Sequence, residues 1–325
     1  MYDTQLRYNS SPETDAMLAK CRRSLVFKPI DRSMLPHIAQ ILSTTHSRSC
    51  DYSIGGIYMW IRRFGYEASI LDNTLFIKGR SLSDPSQTAF MLPTGSMRTD
   101  RAIDLVREYC RRTGLQPTFA GVPEERVAEV LEHCTAADVV PMDTANDYIY
   151  DADAMASFSG KKYNKKRNHV NRFIADNPGM VFEELTAEIL PETILYFAGF
   201  SRHAAALADD TSDAAYERAA TMDVLCHYGD YPFYGAVLRG NTGEIVSFTI
   251  GEVIGDTLFV HIEKTRHDIE GAGETICQLF ARYMKERCPA LRYINREDDA
   301  GDPGLRQSKL SYHPCRILRK YNIRL

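Results

Sequence analysis

The order of predicted elements, which is the same in the two halves of the chain, constrains the fold most. In the first half, Glu67 to Leu71 and Thr74 to Lys78 flank Asp72-Asn73, a hairpin signal. An amphipathic helix is predicted over Met97 to Arg112, with Ile103, Val106 and Cys110 on one face and Gly114 ending it. Gln116 to Ala120 reads as a strand, Pro123 to Glu132 as a helix and Val139 to Tyr150 as a closing strand pattern. The second half repeats the order. Phe233 to Leu238 and Ile245 to Ile250 flank a turn at Asn241-Thr242-Gly243, and Leu258 to Glu263 is a third strand. Gly273 to Arg287 is a helix with Ile276, Leu279, Phe280 and Tyr283 inward. Leu291 to Asn295 is a strand, Pro303 to Leu310 a short helix and Cys315 to Tyr321 a last strand.

Ahead of the first repeat, Leu25 to Phe27 reads as a strand, and Asp31 or Ser33 caps a helix through Leu35, Ile38, Ile41 and Leu42. Ile54 to Phe64 is aromatic-rich and gives no clear period. The expected architecture is therefore α/β (α+β): mixed central sheets flanked by helices in two tandem domains. Residues 1–23 are a loose segment, 24–145 the first domain and 146–325 the second. Residue identity between the halves is almost nil, so the repeat rests on element order.

Composition narrows the function. Of 325 residues, 44% are hydrophobic and 25% charged, as in globular proteins, and the formal net charge of -4 excludes a globally basic nucleic-acid binder. A local basic patch is still allowed. The eight cysteines form no C-x-x-C pair, which predicts reduced thiols rather than a disulfide framework or zinc site. His203, His227 and His267 show no metal spacing, and no metal is expected. Met1 to Lys20 has no apolar core of a signal peptide, and no stretch reaches the roughly 20 apolar residues that span a bilayer. The expectation is a soluble cytoplasmic protein with no transmembrane segment, free to touch a membrane surface.

Lys161 to Arg172 holds six Lys or Arg residues and no acid. On a helical wheel Lys161, Lys165, Asn168 and Arg172 share a face, opposite Tyr163, Val170, Phe173 and Ile174. Lys161, Lys162, Lys165, Lys166, Arg167 and Arg172 are candidates for a phosphate-rich partner such as tRNA, with Tyr163 and His169 adding stacking. The same pattern also describes a solvated helix face. Further on, Arg296-Glu297-Asp298-Asp299 follows a strand end, where loops carry function. Glu297 or Asp298 can act as a base, and Arg306 and Lys309, three apart on a helix, can steady negative charge. A capping acidic turn beside a basic helix is the plain alternative.

Three segments carry a family resemblance: Asp51 to Trp60, Ser159 to His169, and Asn295 to Asp299 continued by Gly304 to Pro314. Together they resemble the DUF2156 family, the C-terminal domain of phosphatidylglycerol lysyltransferase, over about residues 25–325. The resemblance implies a tandem GNAT acyltransferase fold. It also implies kinship with enzymes that move an amino acid from aminoacyl-tRNA to an acceptor. The acceptor, whether small molecule, lipid or peptide, stays open. In such folds the third strand borders the acyl site, which makes His261 and Glu263, on one strand face, substrate-binding candidates with Asn295, Arg296 and Tyr312. Asp268-Ile269-Glu270-Gly271-Ala272-Gly273 lies where GNAT enzymes cradle coenzyme A. Gly271 and Gly273 fit that loop, and the acids Asp268 and Glu270 do not. An acetyl-CoA-dependent N-acetyltransferase is one alternative, and a non-catalytic RNA- or polyanion-binding protein is another. No cofactor is firmly implied; aminoacyl-tRNA is the expected donor.

Overall fold

The hairpin forms around Asp72-Asn73. Glu67–Leu71 pairs antiparallel with Thr74–Arg80, and both turn residues take positive φ (48° and 52°), which Asp and Asn tolerate better than most side chains. It belongs to the first of two mixed sheets in the computed structural model, which describes residues 24–205 and 213–325. That sheet runs Lys28–Pro29, Glu67–Leu71, Thr74–Arg80, Thr88–Phe90, Thr118–Pro123, Lys320–Arg324 and Asp138–Pro141, with Thr94–Gly95 also beside Thr74–Arg80. Its core packs Phe76, Phe90, Phe119 and Ile323 against Ile103, Val106 and Cys110 of the helix Thr99–Thr113. Gly114 ends that helix at φ 71°.

The second sheet runs Arg316–Leu318, Asp147–Asp151, Tyr293–Asn295, Thr257–Thr265, Ile245–Ile254, Tyr234–Arg239 and Val181–Glu184. The helices Ala152–Ser157 and Ala272–Arg287 cover one face through Met155, Phe280 and Met284. Tyr283, read as inward, is only partly buried at that cluster's edge.

Two expected strands prove to be crossings between sheets. Val139 to Tyr150 divides into Asp138–Pro141 in the first sheet and Asp147–Asp151 in the second. Cys315 to Tyr321 divides into Arg316–Leu318 in the second and Lys320–Arg324 in the first. The last five-residue strand, grouped by sequence with the second half, thus lies inside the first sheet, between Thr118–Pro123 and Asp138–Pro141. Residues Leu25 to Phe27 form no strand; pairing starts at Lys28–Pro29, and Leu25 is buried in the first core. The segment 1–23 and all but Asp213 of the helix-connecting loop expected at Asp209 to Asp213 lie outside the described residues.

Ile54 to Phe64, unassigned by sequence, is a helix. Ser53 caps it by accepting from Gly56 N, and Gly65 closes it at φ 61°. Gly55-Gly56 hid it, because two adjacent glycines lower helix propensity. Both are needed for close approach: a Cβ on Gly55 would lie 2.2 Å from His261 Cδ2, and one on Gly56 would lie 2.0 Å from the Cys50 carbonyl. This helix therefore presses its first turn onto the second sheet. Gly55→Ala is expected to cost about 3 kcal/mol through overpacking, read as a lower midpoint in urea unfolding.

Candidate functional site

The second sheet splits at one point. Thr257–Thr265 and Tyr293–Asn295 run parallel and stay in register from Thr257↔Tyr293 to Phe259↔Asn295. Beyond that pair one strand ends and the other runs on to Thr265, so only side chains bridge the gap. His261 Nδ1 lies 2.7 Å from Glu297 Oε1, and Arg296 donates to Glu263 at 2.8 Å. The expected pairing of His261 and Glu263 on one strand face is thus met by two consecutive residues of the facing loop.

His261 is buried between two acids. Its Nε2 lies 2.9 Å from Glu252 Oε1, which also accepts from Gly55 N at 2.7 Å. Burial opposes charge on the imidazole, but hydrogen bonds to Glu252 and Glu297 outweigh it and lift His261 to about 9. It is a cation at neutral pH.

Glu297 itself stands at φ 59°, a left-handed conformation that costs a non-glycine residue roughly 1–3 kcal/mol. Asn295 holds it there, accepting from Glu297 N at 2.6 Å. The Asn295 amide in turn donates to Asp147 at 2.9 Å and to the Arg48 carbonyl at 2.7 Å. Asp147 is 0% exposed and accepts also from Cys50 N at 2.8 Å, the Cys50 thiol at 3.2 Å and Lys320 Nζ at 2.7 Å. Lys320 reaches Asp51 as well, at 2.8 Å. Burial works against its charge, yet Asp147 and Asp51 keep it protonated well above the usual lysine range.

Cys50, Asp51, Glu297 and Lys320 of this network line a cavity of about 410 Å³ between the first sheet and the loop after Asn295. Asp51, Glu297, Asp298 and Lys320 line its charged end. Asp298 accepts only from Ala300 N, at 2.9 Å, and has no ion pair among the described residues. Burial raises its carboxyl to about 6; Lys320 opposes the shift, and Asp147 and Glu297 add to it. Trp60 packs against the core beside Met59 and also lines the cavity.

Arg306 and Lys309, expected to act side by side, hold different parts of the loop. Lys309 is buried and donates to the carbonyls of Arg296 and Asp298, burial lowering its pKa. Arg306 pairs with Asp299 at 2.8 Å, and Asp299 also accepts from Tyr148 OH. Neither reaches the cavity wall. Tyr312 is buried, its ring covered by Lys166 Nζ at 3.6 Å and by the Arg296 guanidinium at 4.7 Å from the ring centre.

The basic segment divides too. Lys161–Tyr163 is a short 3-10 turn leading into the helix Asn164–Asp176. Tyr163 is buried and stacks on Phe158, so it offers no face to a base. Lys166 is buried and meets Glu274 at 3.2 Å, with His169 against the same carboxylate. Arg167 donates to the Phe158 and Gly160 carbonyls. Arg172 is matched by Glu270 at 2.8 Å and Asp176 at 3.7 Å. Ile174, placed by sequence on the packed stripe, is exposed. Within this segment Lys161, Lys162 and Lys165 are exposed and have no ion pair among the described residues. Folding had hidden the acids from the sequence reading, because Glu270 and Glu274 come from a distant segment.

Gly271 opens the helix Ala272–Arg287 at φ 82°, and a Cβ there would lie 2.3 Å from the His169 carbonyl. Packing against the basic helix accounts for this glycine. Asp268 pairs with Arg266 at 2.5 Å. Among the described residues the cysteines are free, and no cluster of His, Cys, Asp or Glu suits a metal ion. Sequence reading missed Asp147, Lys320, Glu252, Asp51 and Cys50. The available signal was a charge at a buried strand position: Asp147 beside Tyr148-Ile149-Tyr150, and Lys320 two residues after Leu318.

His261 sets a stability prediction. Its pKa rises on folding, so its contribution is complete below pH 6.5 and is lost as pH climbs through about 9. His261→Gln is expected to cost about 3 kcal/mol at pH 7 and much less at pH 10, read by urea unfolding at both pH values.

Comparison with known proteins bears on the fold. A conserved protein of unknown function from Bacteroides thetaiotaomicron superposes with a TM-score of 0.84 at 29% identity, over 93% of this chain and 99% of that one. The C-terminal domain (DUF2156) of a lysylphosphatidylglycerol synthetase from Agrobacterium fabrum gives 0.65 at 15% identity, over 90% and 92%. L-PGS from Bacillus licheniformis gives 0.63 at 16%, over 91% and 92%. No curated protein matches the chain. The mixed sheets flanked by helices are those of GNAT-like acyltransferase folds. No helix among the described residues is long and apolar enough to cross a membrane. The family model for phosphatidylglycerol lysyltransferase, C-terminal, matches residues 43–324, and the chain belongs to that family.

Proposed function

We propose that this protein is an aminoacyltransferase that moves an amino acid from aminoacyl-tRNA to an acceptor bound in the cavity below Asp298. The observation that carries the reading is Asp298 itself. It is a carboxyl raised to about 6, unpaired among the described residues, on a loop held by Asn295, Lys309 and His261 and facing a cavity large enough for a small ligand. A base of that strength is ionised at neutral pH and suited to take a proton from the attacking group.

The other residues have supporting roles. Lys309 fixes the loop through two carbonyls, and Glu297 is locked to His261 rather than free to act as base. Transfer from an ester to an amine or hydroxyl is close to downhill, so the chemistry needs no ATP. Lys161, Lys162 and Lys165 are the cations left to meet the tRNA phosphates.

Incubation with mixed charged tRNA and a panel of amines and alcohols is expected to give tRNA-dependent product. The rate should rise from pH 5 to 7 with a midpoint near 6, because the base must lose its proton. Asp298→Asn should lower the rate about 100-fold and flatten that limb. Changing Lys161, Lys162 and Lys165 to Glu should raise KM for tRNA and leave single-turnover chemistry intact. Inertness toward all charged tRNA would overturn the reading.

A further inference from the structure

The charged end of the cavity carries more negative than positive groups. Asp51, Asp147, Glu252, Glu297 and Asp298 stand on or directly behind the floor, against three cations, Lys320, His261 and Lys309. Each of those cations is already engaged. Lys320 is shared by Asp51 and Asp147, His261 by Glu252 and Glu297, and Lys309 sits on backbone carbonyls. Asp298 is the carboxyl left over. At the rim Lys78 is matched by Glu67 at 2.7 Å and Asp213 by Arg63, while Arg80 donates to the carbonyls of Arg62 and Arg63 and keeps its charge. An unmatched carboxylate in a confined, partly dry site is costly, and a cationic ligand removes the cost.

The wall above this floor is aromatic. Trp60 and Phe64 stand 6.0 Å apart, Phe64 stacks on Tyr66 at 5.4 Å, and all three line the cavity. Aromatic faces attract organic cations and add to the pull of the floor. The described residues offer no metal cluster that would supply the missing charge instead.

We infer that this cavity is a binding site for a primary ammonium group, and that the acceptor of the transfer is an amine. The ammonium site stands on the cavity alone; naming its occupant as the acceptor rests on the transfer reading above. The step balances. The bound ammonium gives one proton to Asp298. The freed nitrogen lone pair forms a C–N bond to the acyl carbon, and the C–O bond to the ribose breaks. The second proton leaving nitrogen goes to the ribose oxygen, and Asp298 returns its proton to solvent. The product is an amide and uncharged tRNA.

The test is calorimetric binding to the full chain, without tRNA, of N-acetyl-lysine amide against N-acetyl-norleucine amide. The two probes differ mainly by the ammonium group. The lysine probe is expected to bind at least ten-fold more tightly at pH 7.5. Asp298→Asn should lose most of that preference, and Trp60→Leu should weaken it, with thermal melting confirming that each variant folds. Equal affinity of the probes, no binding of either, or an unchanged preference in both variants would overturn the ammonium site. Transfer from mixed charged tRNA then tests the occupant. Amide formation on the lysine probe supports the amine acceptor. Esterification of alcohols with none on the amine overturns that assignment while the site stands. Binding without transfer to anything overturns the transferase reading alone.

Discussion

A carboxylate with no exposure to water, Asp147, ties the molecule together. It sits at the point where the chain crosses from the first sheet to the second, and it accepts hydrogen bonds from Cys50, Asn295 and Lys320. Those partners come from the loop ahead of the first-half helix Ile54–Phe64, from the end of a second-sheet strand, and from the final strand of the chain. A buried charge is tolerable only when it is fully paired. The folded position of each partner is therefore a condition for the others. The same pairing fixes Asn295, which holds Glu297 in its left-handed conformation and so sets where the next residue, Asp298, enters the cavity.

The return of Lys320–Arg324 into the first sheet has a related consequence. The cavity lies between halves that share a strand crossing in both directions, Asp138–Pro141 to Asp147–Asp151 and Arg316–Leu318 to Lys320–Arg324. Such a seam resists sliding, because the crossing strands pair with each other on the way, as Tyr321 does with Pro141. The loop that carries Asp298 is held against the second sheet there, which suits a reaction that depends on orientation.

Much of the fold could be read in the sequence because periodicity is local. The helix Pro303–Leu310 has the bounds predicted for it, the helix Thr99–Thr113 is recognisable from its apolar face and terminal glycine, and the hairpin at Asp72-Asn73 follows from two residues that tolerate positive φ. The helix Ile54–Phe64 was hidden by glycines whose reason lies in His261, far away in sequence. The strand crossings were hidden because an apolar alternation says that a segment pairs, not with which sheet. At the site, the loop Arg296 to Asp299 and the two strand residues His261 and Glu263 were legible from position and chemistry. Their partners were not. Nothing local marks Glu252 as the second acid on His261, or Glu274 as the neutraliser of Lys166. The basic segment read as free of acids is, once folded, beside two of them.

The proposed acyl transfer at Asp298 runs over the cavity that the Asp147 network shapes. A crystal structure with a non-hydrolysable 3′-aminoacylamido-adenosine addresses it most directly. Transfer at Asp298 requires the acyl carbon at the cavity mouth, within about 4 Å of where an acceptor nitrogen hydrogen-bonded to the Asp298 carboxylate would sit, a near-attack geometry. An analogue seated away from the loop Arg296 to Ala300, with Asp298 facing only solvent, would contradict it.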